Sequence, residues 1–534
     1  MSLMLAIIVF GSRIQNMSKR FWAVLIFFAM VFNHSLPDTS AQRRRASEIV
    51  DLVVLGGAIV TMNATRQLIE DGGIAVKGGR IVAVGSRADI ARRYTGRQTV
   101  DATGKTIIPG LINGHTHIPM VLFRGLADDL DLQDWLTKYI FPAEAKNVTE
   151  EFVRAGTRLG LAEMVRGGTT TYCDMYYFED AIADETAKAG VRGVLGETVI
   201  DFPVADNKTN AEAMAYVERF VKKWQGHHLI VPAIAPHAPY TVSEEHLKAA
   251  RALSDRTGSP IVTHISETKR EVDDSIKAKG TSPIEYLARI GFLNERVIAA
   301  HVVWPTANEL DILKRSGVGI VHNPQSNMKL AAGVAPVPQM LRDGLLVGLG
   351  TDGAASNNDL SMWEEMDTAA KLHKVFSGDP KVISAQEALE LATIRGAQAL
   401  HLEKEIGSIE TGKRADLVLV ERSALNQIPS YNLYSDLVYA TKASGVQTVI
   451  INGRIVMQNR RLLTLDEAAI RVTARIFRER ILKSLSNPGE GSRQLDHLCL
   501  SSRDPVASNK NQLEMRGDLP LVGVKDHNRS SNRR

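Results

Sequence analysis

Along residues 51–100 the apolar positions come in short runs broken by glycine. Runs at 52–55 and 58–60 flank Gly56-Gly57, and runs at 74–76 and 81–84 flank Lys77-Gly78-Gly79-Arg80. Glycine supplies the positive φ that tight turns need, so this pattern predicts β-hairpins. The same texture returns at 415–420, and again at 446–451 and 455–457 around Asn452-Gly453-Arg454. One small β-sandwich built from two flanking segments, 49–107 and 406–463, accounts for both stretches. Two unrelated β-patches is the alternative.

Between these segments, strand-like and helix-like patterns alternate. Eight short β-rich runs lie near 107–111, 169–174, 193–200, 230–235, 260–264, 297–301, 318–321 and 345–350. Apolar residues at helical spacing mark 152–166, 310–315 and 385–400. Alternation implies a parallel sheet, and eight repeats imply a closed (β/α)8 barrel, here over 108–405. The competing architecture is an open doubly wound sheet. It usually carries a glycine-rich phosphate loop, and no GxGxxG or Walker pattern is present. An arginine-rich amphipathic helix is predicted over 464–486. Residues 487–534 are polar and aperiodic and read as a disordered tail.

Composition narrows the function classes. The 534 residues allow several domains, and 44% hydrophobic with 23% charged residues excludes a chain disordered throughout. Lys+Arg 64 against Asp+Glu 60 leaves +4, which gives no reason to expect a nucleic-acid partner. The two cysteines, Cys173 and Cys499, cannot build a disulfide framework or a cysteine-rich zinc site.

The first 42 residues do not read as part of the fold. Lys19-Arg20 precede an apolar run at 21–32, and the small residues Thr39-Ser40-Ala41 follow it. That is the order of a secretory signal, and the run is short for a membrane span. Met17, just before the basic pair, is a candidate start. The expectation is export to the periplasm or medium. An uncleaved membrane anchor or a cytoplasmic protein are the alternatives, and the membrane would be met through this segment only.

Histidine, with 14 copies, carries the chemistry. In a barrel of this kind functional groups sit at the carboxyl ends of the strands. His115 and His117 follow the first predicted strand, two residues apart and so facing one side in extended backbone. Alone such a pair is weak. The other strand ends add His237, His264 with Glu267, His301, His322 and Asp352. Imidazoles and a carboxylate gathered at one rim form a metal site.

With these residues in view, the chain resembles the amidohydrolase superfamily over roughly 51–460. The motifs are Pro109-Gly110-Leu111-Ile112-Asn113-Gly114-His115-Thr116-His117, His264-Ile265-Ser266-Glu267, His301 and Gly350-Thr351-Asp352-Gly353. Phe141-Pro142-Ala143-Glu144, Pro236-His237-Ala238-Pro239, and the stretches 322–330 and 352–358 are similar to the 5'-methylthioadenosine/S-adenosylhomocysteine deaminase and s-triazine hydrolase branch. The resemblance implies that His115, His117, His264 and Asp352 bind one divalent metal, zinc, with iron as the substitute. Binuclear relatives place a modified lysine on the fourth strand. Here that strand offers His237, which favours one metal.

The resemblance also implies the roles. Water activated by the metal attacks the aminated ring carbon, and ammonia leaves. Glu267 shuttles the proton to the ring nitrogen and to the leaving group. His301 orients the attacking group, and Asp352 takes its proton. Glu144 matches a carboxylate that accepts hydrogen bonds from ribose hydroxyls, for which an acceptor-only group is well suited. His237 matches a substrate contact, so the substrate-binding set is Glu144, His237, Glu267 and Asp352. Trp135 reads as packing a lid helix rather than lining the pocket. One departure stands out: Glu197 lies where such deaminases can carry an arginine for the homocysteine carboxylate. It would repel that group and so weighs against S-adenosylhomocysteine.

The expectation is therefore an aminohydrolase acting on an adenine nucleoside of the 5'-methylthioadenosine, adenosine or S-adenosylhomocysteine type. Its partner is a small nucleoside or heterocycle, with a homo-oligomer left open. A hydrolase of another aminated or halogenated ring (s-triazine, guanine or pterin) is the alternative within the class. A non-enzymatic metalloprotein would have lost Glu267 or a ligand, and none is lost. Deaminases of the H-x-E and P-C-x-x-C type are excluded for want of the cysteine pair.

Overall fold

Eight parallel strands run in chain order around one sheet: Leu111–Thr116, Thr169–Tyr176, Arg192–Val199, Ile230–Pro236, Ile261–Ile265, Val297–His301, Gly319–His322 and Leu346–Leu349. Nearly every residue in them is buried. That is the signature of a parallel sheet covered by helices outside and filled with side chains inside. The structure is a computed structural model describing residues 47–486. The signal peptide or anchor read at 1–42 and the tail read at 487–534 lie outside the described residues.

The first and eighth strands meet at their carboxyl ends without a regular ladder. Asp352 N–H donates to His115 O at 2.9 Å. Asn113 spans the rest of the seam, donating from Nδ2 to Thr351 Oγ1 (2.7 Å) and accepting from Thr351 N (3.0 Å). The approach is close: a Cβ on Gly350 would stand 2.7 Å from His115 N. This seam brings His115 and Asp352, 237 positions apart, to one point.

Two other sheets complete the described fold. Arg80–Ser86, Gly72–Lys77, Glu48–Leu55 and Tyr94–Asp101 make four strands in that order. The second has seven strands and mixes both chain segments. Arg461–Leu462, Arg454–Gln458, Val446–Ile451 and Leu417–Glu421 continue into Lys105–Pro109, Ala58–Val60 and Leu68–Ile69. Leu52, Val54 and Ile74 from the first sheet share a buried core with Ile59, Ile107, Leu417, Leu419 and Ile450 from the second.

Two expectations are corrected. The apolar run at 107–111 is not one barrel strand. Lys105–Pro109 pairs antiparallel with Leu417–Glu421, and the barrel begins afresh at Leu111–Thr116. Both halves are equally apolar, so the break falls at Gly110, where a Cβ would collide with the Thr170 side chain. The predicted boundary between 107 and 108 thus cuts through a sandwich strand. The helix predicted over 385–400 is two, Ala385–Leu391 and Ile394–Ala399. Thr393 leaves the helical region (φ −132°, ψ −101°) and its hydroxyl returns to Leu389 O.

The C-terminal helix Glu467–Ser486 buries Ile470, Phe477 and Ile481, with Phe477 edge-on to Phe152 of helix Glu150–Gly167. Among the described residues no helix is long and apolar enough to cross a membrane. Barrel and sandwich are tied by a buried ion pair. Arg192, opening the third barrel strand, donates to both oxygens of Asp416 (3.1 and 3.3 Å), and both side chains are under 10% exposed. Removing one partner strands the other charge, at a cost of about 3–5 kcal/mol. Asp416→Ala should lower stability by that amount, read as an earlier midpoint in denaturant unfolding.

Candidate active site

The strand ends converge as the barrel demands. His115 is the fifth residue of the first strand and is fully buried. Neither of its ring nitrogens has a hydrogen-bond partner. An orphaned buried imidazole is costly unless something else meets it. His117 engages Met175 O through Nδ1 (2.6 Å), and His264 engages His237 O through Nδ1 (2.8 Å). Each contact fixes the ring and leaves Nε2 for the common centre. His117 Nε2 lies 3.3 Å and His115 Nε2 3.5 Å from Asp352 Oδ1.

Two trios have ligand atoms mutually within 4.8 Å: His115, His117 and Asp352, and His115, His264 and His301. His115 belongs to both. The four predicted ligands are divided between these trios, which meet at His115, and His301 stands in the second beside His264. Burial drives His115 down to about 4 and His264 well below the usual histidine range, which keeps both neutral and able to bind a metal. For His117 burial acts in the same direction, but contact with Asp352 overrides it and raises the ring to about 9. A cation here competes with that proton. The orphaned His115, the second-nitrogen contacts and the three-imidazole, one-carboxylate donor set fit a divalent metal.

Asp352 is held from behind. Ser326 and Ser356 hydroxyls both donate to Oδ2 (2.7 Å each), and Gly353 N donates to Oδ1 (2.7 Å). His301 Nδ1 lies 2.9 Å from Asn327 Oδ1, a contact that orients the ring, and Nε2 faces Glu267 Oε2 at 3.8 Å. Burial, the largest influence, raises the Glu267 carboxyl. Ser326, Asn327 and Ser356 lie inside the stretches 322–330 and 352–358, where the sequence assigns them no role. Their function is to orient other side chains, which no spacing reveals.

One cavity joins this centre to the predicted substrate contacts. His117, Glu144, Thr198, His237, Glu267 and Asp352 all line it. Glu144 sits on helix Phe141–Asn147, is buried, and accepts from Tyr176 Oη at 2.7 Å. Burial raises its carboxyl to about 7. His237 uses Nδ1 with Thr241 Oγ1 (2.9 Å), which leaves Nε2 for a ligand. Trp135 corrects the expectation: it lines the cavity, and its buried indole N–H has no partner.

Glu197 is corrected as well. In strand Arg192–Val199 neighbouring side chains face opposite ways, and it is Thr198 that lines the cavity. Glu197 accepts from Glu179 N (2.9 Å) and Asn207 Nδ2 (3.1 Å), fully buried on the other side. It anchors the helix Glu179–Ala189 and has no bearing on a substrate carboxylate.

The amidohydrolase family profile matches residues 106–456. The chain is 43% identical over 441 residues to 5-methylthioadenosine/S-adenosylhomocysteine deaminase 1 of Syntrophus aciditrophicus, covering 83% of this chain and 100% of that one. It is 43% identical over 406 residues to the 5'-deoxyadenosine deaminase of Methanobrevibacter smithii, covering 76% and 92%. Among solved structures, an adenosine deaminase from Xanthomonas campestris with bound zinc superposes with a TM-score of 0.81 at 41% identity, covering 82% and 100%. The zinc complex of atrazine chlorohydrolase from Arthrobacter aurescens reaches 0.75 at 23% identity, covering 80% and 100%, a likeness of fold alone. The chain belongs to the amidohydrolase family, within which it is an enzyme that hydrolyses C–N bonds.

Proposed function

We propose that this protein is a zinc-dependent aminohydrolase that deaminates an adenine nucleoside, with 5'-methylthioadenosine, adenosine and S-adenosylhomocysteine as the substrate class. The observation that carries the reading is the single cavity in which a buried Glu144 faces the same space as the metal-type cluster, Glu267 and His301. The names of the relatives that match over most of both chains support it. In the reaction the C–N bond to the exocyclic amine breaks, a C–O bond from water forms, and ammonia leaves.

His115, His117, His264 and Asp352 would hold the cation. When bound, it lowers the pKa of water toward neutrality and so supplies a nucleophile at physiological pH. Burial raises the Glu267 carboxyl above the usual carboxylate range, the direction that suits a proton donor. It donates a proton to the ring nitrogen beside the attacked carbon, then collects the remaining hydroxyl proton of the attacking water and passes it to the departing amine. Asp352 Oδ1 faces the cluster while two serines satisfy Oδ2, so Oδ1 is the oxygen that accepts the proton of the attacking water. His301 orients that water through Nε2. Glu144 has one oxygen on Tyr176 and the other for the ribose diol, and His237 adds a second sugar contact through Nε2.

Leu132 and Tyr240 line both the cavity and an adjoining groove of about 930 Å³. The groove leaves room for large 5'-substituents. With Glu197 turned away, that side chain no longer weighs against a substrate carboxylate.

The test is the zinc-loaded protein with 5'-methylthioadenosine, adenosine, s-triazines, guanine and a pterin, followed by ammonia release and loss of adenine absorbance. Nucleoside turnover is expected. Turnover of the triazine, guanine or pterin alone would replace this reading. In the same assay Glu144→Ala should raise KM for nucleosides about 10–100-fold, the value of a charge-assisted hydrogen bond, and leave any turnover of free adenine unchanged. Equal effects on both would remove the ribose contact.

A further inference from the structure

Glu271 takes no part in the chemistry above, yet both its carboxylate oxygens are committed to the loop that carries Glu267. Oε1 accepts from Ser266 N at 3.0 Å and Oε2 accepts from Glu267 N at 2.7 Å. Those two peptides join the metal-type histidine His264 to Glu267. Glu271 itself is placed by Thr268, whose hydroxyl accepts from Glu271 N (3.1 Å) and caps the helix Lys269–Lys279. The carboxylate therefore reaches back over the cap to the turn that precedes it.

That turn needs holding. Ser266 has φ +52°, a left-handed conformation that residues with side chains rarely adopt. Such a conformation persists only where the surroundings over-determine it, and such positions cluster at functional sites. Here the surroundings act from two sides. Ser266 O accepts from Val303 N (3.0 Å) and Trp304 N (3.2 Å), just after His301 (φ +73°) and Val302 (φ +46°). The loops bearing Glu267 and His301 are thus bonded to each other at Ser266. From the opposite side only Glu271 receives the two N–H groups. Without it, the Ser266–Glu267 backbone loses both partners and Glu267 loses its fixed aim.

We propose that Glu271 is a positioning residue, which clamps the Ser266 and Glu267 peptides in a left-handed turn and so aims the Glu267 carboxyl at the reacting ring. This rests on Glu267 being the proton shuttle of the proposed function. Gln at 271 keeps the size but offers one acceptor oxygen in place of two and turns N–H donors toward a backbone N–H.

The test is a double-mutant cycle in the zinc-loaded full chain, with 5'-methylthioadenosine as the probe. In Glu271→Gln, kcat should fall about 100-fold, the cost of an ångström-scale misplacement of a reacting group, with KM and bound zinc near those of the parent. In the Glu267→Gln background the same change should cost almost nothing, because there is no shuttle left to aim. Glu271→Asp, which retains two acceptor oxygens, should recover part of the loss and serves in the cycle if the Gln variant does not fold. A full 100-fold loss in the Glu267→Gln background would overturn the proposal. So would a fall in Tm with kcat unchanged. Normal turnover in Glu267→Gln alone would overturn the shuttle assignment itself, and this clamp with it.

Discussion

Replacing Glu267 by Gln should cut kcat about 1,000-fold while bound metal stays at the level of the parent protein. Proton transfer by a placed side chain contributes 10²–10⁴-fold, and both proton deliveries proposed here, to the ring nitrogen and to the amine, run through this one carboxyl. Gln has the same shape and can donate a hydrogen bond to the ring nitrogen, but it cannot transfer a proton. KM should therefore change little. The metal should remain because Glu267 is outside both ligand trios. The measurement is steady-state turnover with metal analysis on the same preparation. Turnover within tenfold of the parent would reject the shuttle.

Replacing His115 by Ala should be as severe by a different route. His115 is the imidazole common to both trios and the one whose ring nitrogens make no hydrogen bond within the protein. Loss of residues that merely orient a ligand costs 10–100-fold in metal affinity, so loss of this ligand should cost more than about 100-fold. Activity should disappear in step with metal content. Chelation of the parent protein should reproduce the loss, and added zinc should restore the parent but not the variant. The fold should persist, since the seam hydrogen bond from Asp352 N uses the backbone oxygen of residue 115 rather than its ring. Full zinc content in folded His115→Ala would remove His115 from the ligand set.

The two variants separate the metal from the proton. Glu267→Gln keeps the ion and loses the reaction, whereas His115→Ala loses both. Side by side they distinguish a failure of charge transfer from a failure of assembly, which activity alone does not.

How much of this was legible beforehand follows from what each feature depends on. Strand and helix alternation is local, written in the period of apolar positions, and it implied the barrel. Histidines at several strand ends are local too, and barrel geometry alone puts strand ends together. Whatever depended on neighbours across the fold was out of reach. At 107–111 one apolar run serves two sheets, because Ile and Leu suit either and it is the partners Leu417–Glu421 and Ala58–Val60 that claim the first half. Glu197 and Thr198 are adjacent in the chain, and a period of two does not say which of them faces inward. The outward turn of Glu197 rests on Glu179 N and Asn207, contacts made after the strand has packed.

The order of residues, then, decided which elements form and which reactive side chains stand at the ends of barrel strands, since both follow from spacing and residue type over short stretches. Packing in three dimensions decided which way each side chain faces and what holds it: the closure by Asn113, the serines behind Asp352, Asn327 on His301, Glu271 on the Glu267 loop. Most of these are contacts between residues remote in the chain or between a side chain and a particular peptide. Their energy depends on distances that do not exist until the chain has folded.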